Sequence, residues 1–326
     1  MDAGARYRVG VMYAHELPLA SSALDRDALS RTRDNLIAEL LAQPSTSIIA
    51  VYDRQLAVDS VDNLNQLRSF AIQEIPQELR DPEAALWVYA GIRNGTATLA
   101  LVVPTVLAGF DTAEWRDQVS WLGLRELAES AHTESASVAV PVVALANWHV
   151  TSQFCGRCGG STVVEQAGWV RRCSVCKVEH FPRTDSAVIM AIIDSQDRIL
   201  LGNSAKWSDN RFSTLAGFVE SGESLEAAVR RESFEESGVR IGQVSYWGSQ
   251  PWPFPASLML GYFARAESTD IRVDAHELRA ARWFTRDELV ALVASGQVTL
   301  PGTASIARCL IETWLEGTVP LLSVAE

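Results

Sequence analysis

Residues Gly217–Val239 read GFVESGESLEAAVRRESFEESGV, and this stretch decides how the second half of the chain is read. A glycine-punctuated loop leads into a predicted helix that carries three carboxylates, Glu232, Glu235 and Glu236. Residues four apart on a helix lie one above the other, so Glu232 and Glu236 share a face and Glu235 sits beside them. Like charges at that spacing repel. The arrangement becomes favourable when a hard divalent cation, Mg²⁺ or Mn²⁺, sits among the carboxylate oxygens and phosphate oxygens complete its shell. A solvated acidic helix with i,i+4 pairs to Arg230 and Arg231 would account for the charges, but for neither the glycines nor the spacing.

The stretch resembles the Nudix box, GX5EX7REUXEEXGU, in which U is a bulky aliphatic residue. Gly217, Glu223, Arg231, Glu232, Glu235, Glu236, Gly238 and Val239 fall in register. Ser233 stands where the first aliphatic is expected, and the neighbouring Phe234 is expected to supply the packing. Strand-like stretches surround the box at Ala187–Ile193, Arg198–Leu201, Val244–Trp247, Leu258–Ala264 and Arg279–Phe284, and a closing helix is predicted around Ala304–Trp314. The resemblance implies that they form the Nudix α/β/α sandwich.

Upstream, CGRCG…CSVC gives two Cys-x-x-Cys knuckles, Cys155/Cys158 and Cys173/Cys176, separated by the fourteen residues Gly159–Arg172. Four thiolates so spaced suit one tetrahedral structural Zn²⁺. Two disulfides are the competing reading, which a chain read as intracellular disfavours. The fifth cysteine, Cys309, lies in the apolar pattern SIARCLIETWL and is expected in a core.

Downstream, Ser249–Ser257 read SQPWPFPAS. Three prolines interleaved with Trp252 and Phe254 are incompatible with a central strand, so a rigid loop presenting aromatic faces is expected. The loop matches the SQPWPFPxS signature of Nudix enzymes acting on NADH. With the four-cysteine ribbon, the chain resembles the bacterial NADH pyrophosphatase family over roughly Phe154–Glu312.

That resemblance implies hydrolysis of the pyrophosphate of NAD(H) to AMP and nicotinamide mononucleotide, and removal of NAD caps from RNA 5′ ends. It implies a catalytic Mg²⁺ or Mn²⁺ held by Glu232, Glu236, Glu277 and the carbonyl of Ala216, with Glu235 as an adjacent ligand or base. Arg231 is expected to orient a glutamate through a bidentate pair. Phe218 and Phe181 are candidates to stack on a base or the nicotinamide; the family often has Tyr at the latter position, whose hydroxyl is missing here. Gln250, Pro251, Trp252, Pro253, Phe254, Pro255, Ala256 and Ser257 are expected around the dinucleotide, with Ala307 closing the pocket and Arg125 as a phosphate contact. Each has a bland counterpart: Glu277 as an exposed acid, the Pro/aromatic loop as packing, Arg125 as a surface cation. His15, His132, His149, His180 and His276 form no evident catalytic pair and are read as structural.

The 326 residues suggest two or three domains of ~100–200 residues each. We expect an N-terminal α/β (α+β) domain over 1–150, the zinc ribbon over 151–182 and the Nudix domain over 183–326. In the first, a helix is predicted over Asp34–Leu41 and a strand over Ser47–Tyr52. Asn94-Gly95 signals a hairpin between Leu86–Ile92 and Thr96–Val103, and helices are expected over Trp115–Ala128 and Ala136–Val150. Neither a signal peptide nor a membrane span is visible, so a cytoplasmic protein is expected. The net charge of −12 argues against an extended grip on nucleic acid, which needs clustered Lys and Arg. Recognition of an RNA end stays open, because bound metal reverses the local charge. A homodimer is implied by the resemblance only. Two rivals remain: a Nudix hydrolase of another nucleoside diphosphate derivative such as ADP-ribose, and a catalytically silent zinc-ribbon RNA-binding module.

Overall fold

The computed structural model describes residues 17–20, 24–61, 64–104, 111–130, 133–317 and 319. His15 and His132 lie outside them. The chain folds as two compact units. One holds the described residues from 24 to 184 together with Pro251–Ser257; the other holds residues 17–20, Asp185–Gln250 and the described residues from Leu258 onward.

In the first unit, α1 (Leu36–Leu41), β1 (Ser47–Tyr52), β2 (Gln55–Val61), β3 (Leu64–Leu67), β4 (Leu86–Arg93) and β5 (Thr96–Val102) precede α2 (Ala113–Arg116), β6 (Ser120–Gly123), α3 (Leu124–Ser130) and α4 (Thr133–Thr151). The sheet order is β3-β2-β1-β5-β4, with β6 paired to β2 and β1 parallel to β5. The hairpin turns at Asn94 (φ 50°) and Gly95 (φ 78°), both left-handed, as a type I′ connection requires. The expected helix over Trp115–Ala128 is in fact two short helices interrupted by β6. There Leu122 pairs with Leu56, and strand pairing overrides local helical patterning. The ribbon follows, as a three-stranded sheet of β7 (Thr162–Glu165), β8 (Val170–Cys173) and β9 (Glu179–His180) in that order.

The second unit is an α/β/α sandwich. Its sheet runs β13 (Ile241–Trp252), β14 (Ser257–Ala266), β10 (Asp185–Ile193), β11 (Ile199–Ser204), β15 (Leu278–Phe284), with β12 (Leu215–Phe218) also paired to β10. Side chains alternate across a strand, and β10 shows what that does. Val188, Met190 and Ile192 enter a core with Ala228 and Val229 of α5 (Leu225–Ser237). Ile189, Ala191 and Ile193 enter another with Leu289 of α6 (Arg286–Ala294) and Leu310, Ile311 and Trp314 of α7 (Ile306–Leu315). A strand covered on both faces must be apolar throughout, which is why AVIMAII has no polar interruption. Ser224, Thr285 and Ser305 cap the three helices by accepting from Ala227, Glu288 and Ala307, each cap contributing about 1 kcal/mol.

The proline-rich segment departs from its reading as a loop. β13 continues through Pro251 to Trp252, and only Pro253–Ala256 form the turn. Proline is tolerated because β13 is the sheet's edge, where a missing N–H breaks no ladder on the open side.

Candidate active site

α5 begins at the Ser224 cap and ends at Gly238, whose φ of 72° suits a residue without a Cβ. Its inner face buries Glu232 and Glu236, at 9% and 6% exposure, together with Ser233 and Ser237. Phe234 does not supply the packing expected at the Ser233 position: it is 42% exposed and lies under the Arg240 guanidinium. Ser233 itself is buried. Its hydroxyl donates to the Val229 carbonyl at 2.6 Å, which satisfies the polar group that an aliphatic would not have brought.

Arg231 is held in an acidic clamp. Its Nη2 and Nε donate to the two carboxylate oxygens of Glu223 at 2.5 and 3.2 Å, Nη1 to Glu232 at 2.8 Å and Glu235 at 3.0 Å, and Nη2 also to the Phe218 carbonyl at 2.9 Å. These contacts raise its pKa, Glu223 contributing most. The guanidinium is occupied by the protein and fixes the orientation of Glu232. Burial pushes Glu232 above the usual carboxylate range. Glu236 goes up to about 8, first through burial and then through the charges of Glu232 and Glu277, against a hydrogen bond from the Ala216 backbone. Burial and mutual repulsion of the carboxylates act in the same direction here.

Glu277 reaches the site from a turn before β15. The Asp274 N–H donates to the Glu236 carbonyl at 3.1 Å and the Glu277 N–H to the Asp274 carbonyl at 3.1 Å, so the loop is tied to the end of α5. Glu232, Glu236, Glu277, Arg231, Ala216 and Phe218 all border one cavity of about 540 Å³. Carboxylates with a backbone carbonyl are an oxygen donor set suited to a hard divalent cation. Glu235 is not among the cavity's bordering residues and is engaged by Arg231.

The sequence reading missed Lys206 and Trp207, which border the same cavity, and took His276, which also borders it, as structural. The Ala205 N–H donates to the Glu277 carbonyl at 3.0 Å and brings that segment alongside. No motif marks these residues; only the pairing of β11 with β15 brings them to the site.

In the ribbon, the sulfurs of Cys155, Cys158, Cys173 and Cys176 lie within 4.8 Å of one another. Cys155 and Cys176 are 3.7 Å apart and Cys158 and Cys173 3.4 Å, against ~3.8 Å for tetrahedral zinc with ~2.3 Å bonds. None is disulfide-bonded. Backbone N–H groups of Arg157, Val175 and Cys176 point at thiol sulfurs at 3.4 Å, and His180 Nε2 is 3.3 Å from Cys155 Sγ. Burial raises the Cys155 thiol, and hydrogen bonds from Arg157, Cys158 and His180 lower it further than burial raises it, whereas at Cys176, against a hydrogen bond from the Val178 backbone, burial and the cysteine neighbours raise the thiol. His149 and His180 are thus placed in structural contacts, the former against the Gly168 carbonyl at 2.8 Å.

Other expected substrate residues scatter. Gln250 is fully buried and its side chain is spent: Nε2 donates to the carbonyls of Pro18 at 2.5 Å and Ala304 at 2.9 Å, and Oε1 accepts from the Ile306 N–H at 2.9 Å. Ala307 lies in the core, in the first turn of α7, rather than on the cavity, at 3% exposure. Both departures share a cause, since Gln250 fastens the start of α7 and the helix buries Ala307. Phe218 and Phe181 are exposed at 59% and 62%. Trp252 and Phe254 pack edge to face at 4.9 Å, and the Arg125 guanidinium lies over both rings, at 5.1 and 4.4 Å from their centroids. Asn147 donates to the carbonyls of Pro253 at 3.0 Å and Pro255 at 3.3 Å and holds the turn, which contains a cis Phe254-Pro255 bond.

Comparison with known proteins adds the lineage. Residues 182–300 match the NUDIX domain family and residues 151–181 the NADH pyrophosphatase zinc ribbon domain. The NAD-capped RNA hydrolase NudC of Mycobacterium bovis (strain BCG / Pasteur 1173P2) is 35% identical over 302 residues, 90% of this chain and 93% of that one. Nudix hydrolase 19, chloroplastic, of Arabidopsis thaliana is 44% identical over 190 residues, 56% of this chain and 41% of its own. The NAD-capped RNA hydrolase NUDT12 of Macaca fascicularis is 40% identical over 194 residues, 56% of this chain and 42% of its own. Ribbon and hydrolase domain occur in one order, and likeness to the Mycobacterium bovis protein runs through nearly the whole of both chains: this chain belongs to the NudC family of Nudix hydrolases.

Proposed function

We propose that the chain hydrolyses the pyrophosphate linkage of NAD(H) to AMP and nicotinamide mononucleotide and removes NAD caps from RNA 5′ ends. The observation that carries this reading is the cavity bordered by Glu232, Glu236 and Glu277, with Arg231 locking Glu232 in place. The choice of NAD as substrate rests on the relatives' names and on the SQPWPFPAS signature.

Glu232, Glu236 and Glu277, with the Ala216 carbonyl, would hold Mg²⁺ or Mn²⁺, which neutralises the diphosphate, activates water and stabilises the leaving oxygen. Glu236, its pKa raised by burial and by the charges of Glu232 and Glu277, would be the most buried of the groups holding the cation. Arg231 keeps the Glu232 carboxylate oriented and is not available to the substrate. Glu235, exposed and bonded to Arg231, is the adjacent ligand or base. Phe218 offers a ring face to a base or nicotinamide at the cavity, and Phe181, Arg125 and Pro251–Ser257 carry the contacts expected from the family. The ribbon zinc is structural. Among the described residues no helix is long and apolar enough to cross a membrane; a cytoplasmic homodimer that grips only the RNA end completes the proposal.

The test is hydrolysis of NADH, NAD⁺, ADP-ribose and NAD-capped RNA in parallel with Mg²⁺ or Mn²⁺, quantifying AMP or 5′-monophosphate ends. Metal-dependent cleavage of NADH or the cap above ADP-ribose is expected. Preference for ADP-ribose would overturn the substrate assignment, and no cleavage at all would leave the silent ribbon module.

A further inference from the structure

A second cavity, of about 1070 Å³, lies wholly within the unit that contains the ribbon, between the Arg31–Ile37 segment, the end of α4 and strands β7 and β8. Nothing in the hydrolase reading uses it. Its wall includes Arg171, a residue only 9% exposed. Arg171 Nε donates to Thr162 Oγ1 at 2.7 Å, Nη2 to the Thr162 carbonyl at 3.1 Å, and Nη1 meets His149 Nδ1 at 2.9 Å.

The His149 tautomer follows from its other partner. Its Nε2 lies 2.8 Å from the Gly168 carbonyl, which only accepts, so Nε2 carries the proton and Nδ1 is the acceptor for Arg171. The ring is neutral, as burial dictates. Every described partner of Arg171 is therefore neutral, and two of its five N–H groups have no described acceptor.

No described carboxylate bonds Arg171, whereas Asp27 acts electrostatically on Arg31. Glu165, on the same wall, is taken by Arg172 at 2.9 Å. Asp34 and Glu83 border the cavity but are exposed to water, and Arg33 on its border pairs with Glu39. A second guanidinium, Arg31, stacks 3.6 Å from the Trp169 ring centroid and donates from Nη2 to the Arg26 carbonyl, while its Nε has no partner. A buried cation surrounded by neutral partners is costly unless an anion joins it. The guanidinium fork matches phosphate oxygens, two such groups suit a dianion, and the volume suits an organic molecule rather than a lone ion. Phe154, 69% exposed, adds an aromatic face to the wall.

We propose that this cavity is a second ligand site for a nucleotide-type organic phosphate, the phosphate accepting from Arg171 and Arg31 and the base lying against Phe154. The phosphate is carried either by a free nucleotide or by the 5′ end of a short RNA.

Calorimetric titration of the zinc-loaded protein without added Mg²⁺ or Mn²⁺ tests this, with a variant of the other cavity as the control for binding there. The probes are inorganic phosphate, AMP and a 5′-phosphorylated RNA dinucleotide. Wild type is expected to bind AMP, Arg171→Met to weaken AMP and phosphate at least tenfold, and Phe154→Ala to weaken AMP while sparing phosphate. Phe218→Ala, in the other cavity, is expected to bind as wild type. AMP tighter than the dinucleotide assigns the free nucleotide, and the reverse assigns the RNA end. Absence of binding by wild type, or equal affinity in Arg171→Met, overturns the proposal. Should Arg171→Met fail to retain zinc, Arg31→Gln substitutes for it, with at least threefold weaker AMP binding expected and unchanged affinity overturning the site.

Discussion

A Cβ placed on Gly217 would lie 1.9 Å from the carboxyl carbon of Glu232. The first residue of the box and the first glutamate of its helix are therefore in direct steric relation, and glycine is required by space rather than by φ. Gly217→Ala is expected to displace the Glu232 carboxylate from the cavity and to break its bond to Arg231. Turnover should fall about tenfold or more while the melting temperature changes little. Unchanged kcat with alanine would refute the steric role.

Glu236→Gln keeps the shape of the side chain and removes its charge. Loss of turnover by about a hundredfold or more is expected, with normal zinc content and circular dichroism. Near-normal activity would sink the metal assignment.

Glu236 also sets a pH dependence. Its folded pKa of about 8 exceeds the usual 4.5, so between those values the folded state binds more protons than the unfolded one. Metal-free stability from this group is therefore highest below about pH 4.5 and declines as pH rises through 8. Wild type should lose more melting temperature than Glu236→Gln between pH 6 and 8.5 in the absence of metal, and added Mg²⁺ should narrow the gap. Affinity for the cation should rise over the same range, because binding displaces the proton. Equal pH profiles for the two proteins would contradict this account.

Gln250→Ala should act on stability. It leaves the buried Ile306 N–H without its acceptor, a cost of about 1–3 kcal/mol measurable by urea unfolding. KM for NADH should stay near wild type. A large rise in KM at unchanged stability would show instead that the side chain contacts substrate.

Cys158→Ser should abolish stoichiometric zinc and lower the melting temperature, since metal binding to such knuckles is folding free energy. Retention of zinc by the variant would exclude the four-thiolate site.

The motifs were legible because their chemistry depends on short, fixed spacings. Glu232 and Glu236 share a face through helical geometry alone, and the four cysteines declare themselves through the tight turns of Cys-x-x-Cys. The strands of the sandwich were equally legible where both faces are buried, as in β10. Residues whose role depends on long-range pairing were not. Leu122 reads as helical until Leu56 pairs with it. His276 resembles any surface histidine until the loop after α5 is pinned to the Glu236 carbonyl.

The sequence by itself determined the reaction class, the four thiols of the ribbon and the shared helix face of Glu232 and Glu236, since side chains at local spacings carry their geometry with them. Only the tertiary structure decided which polar side chains remain free. Gln250 is consumed in fastening α7, Arg231 is consumed by three glutamates, and Arg171 is buried with N–H groups to spare. The physical reason is that a buried donor or acceptor must find a partner, and which partner it finds is set by packing between residues distant in sequence.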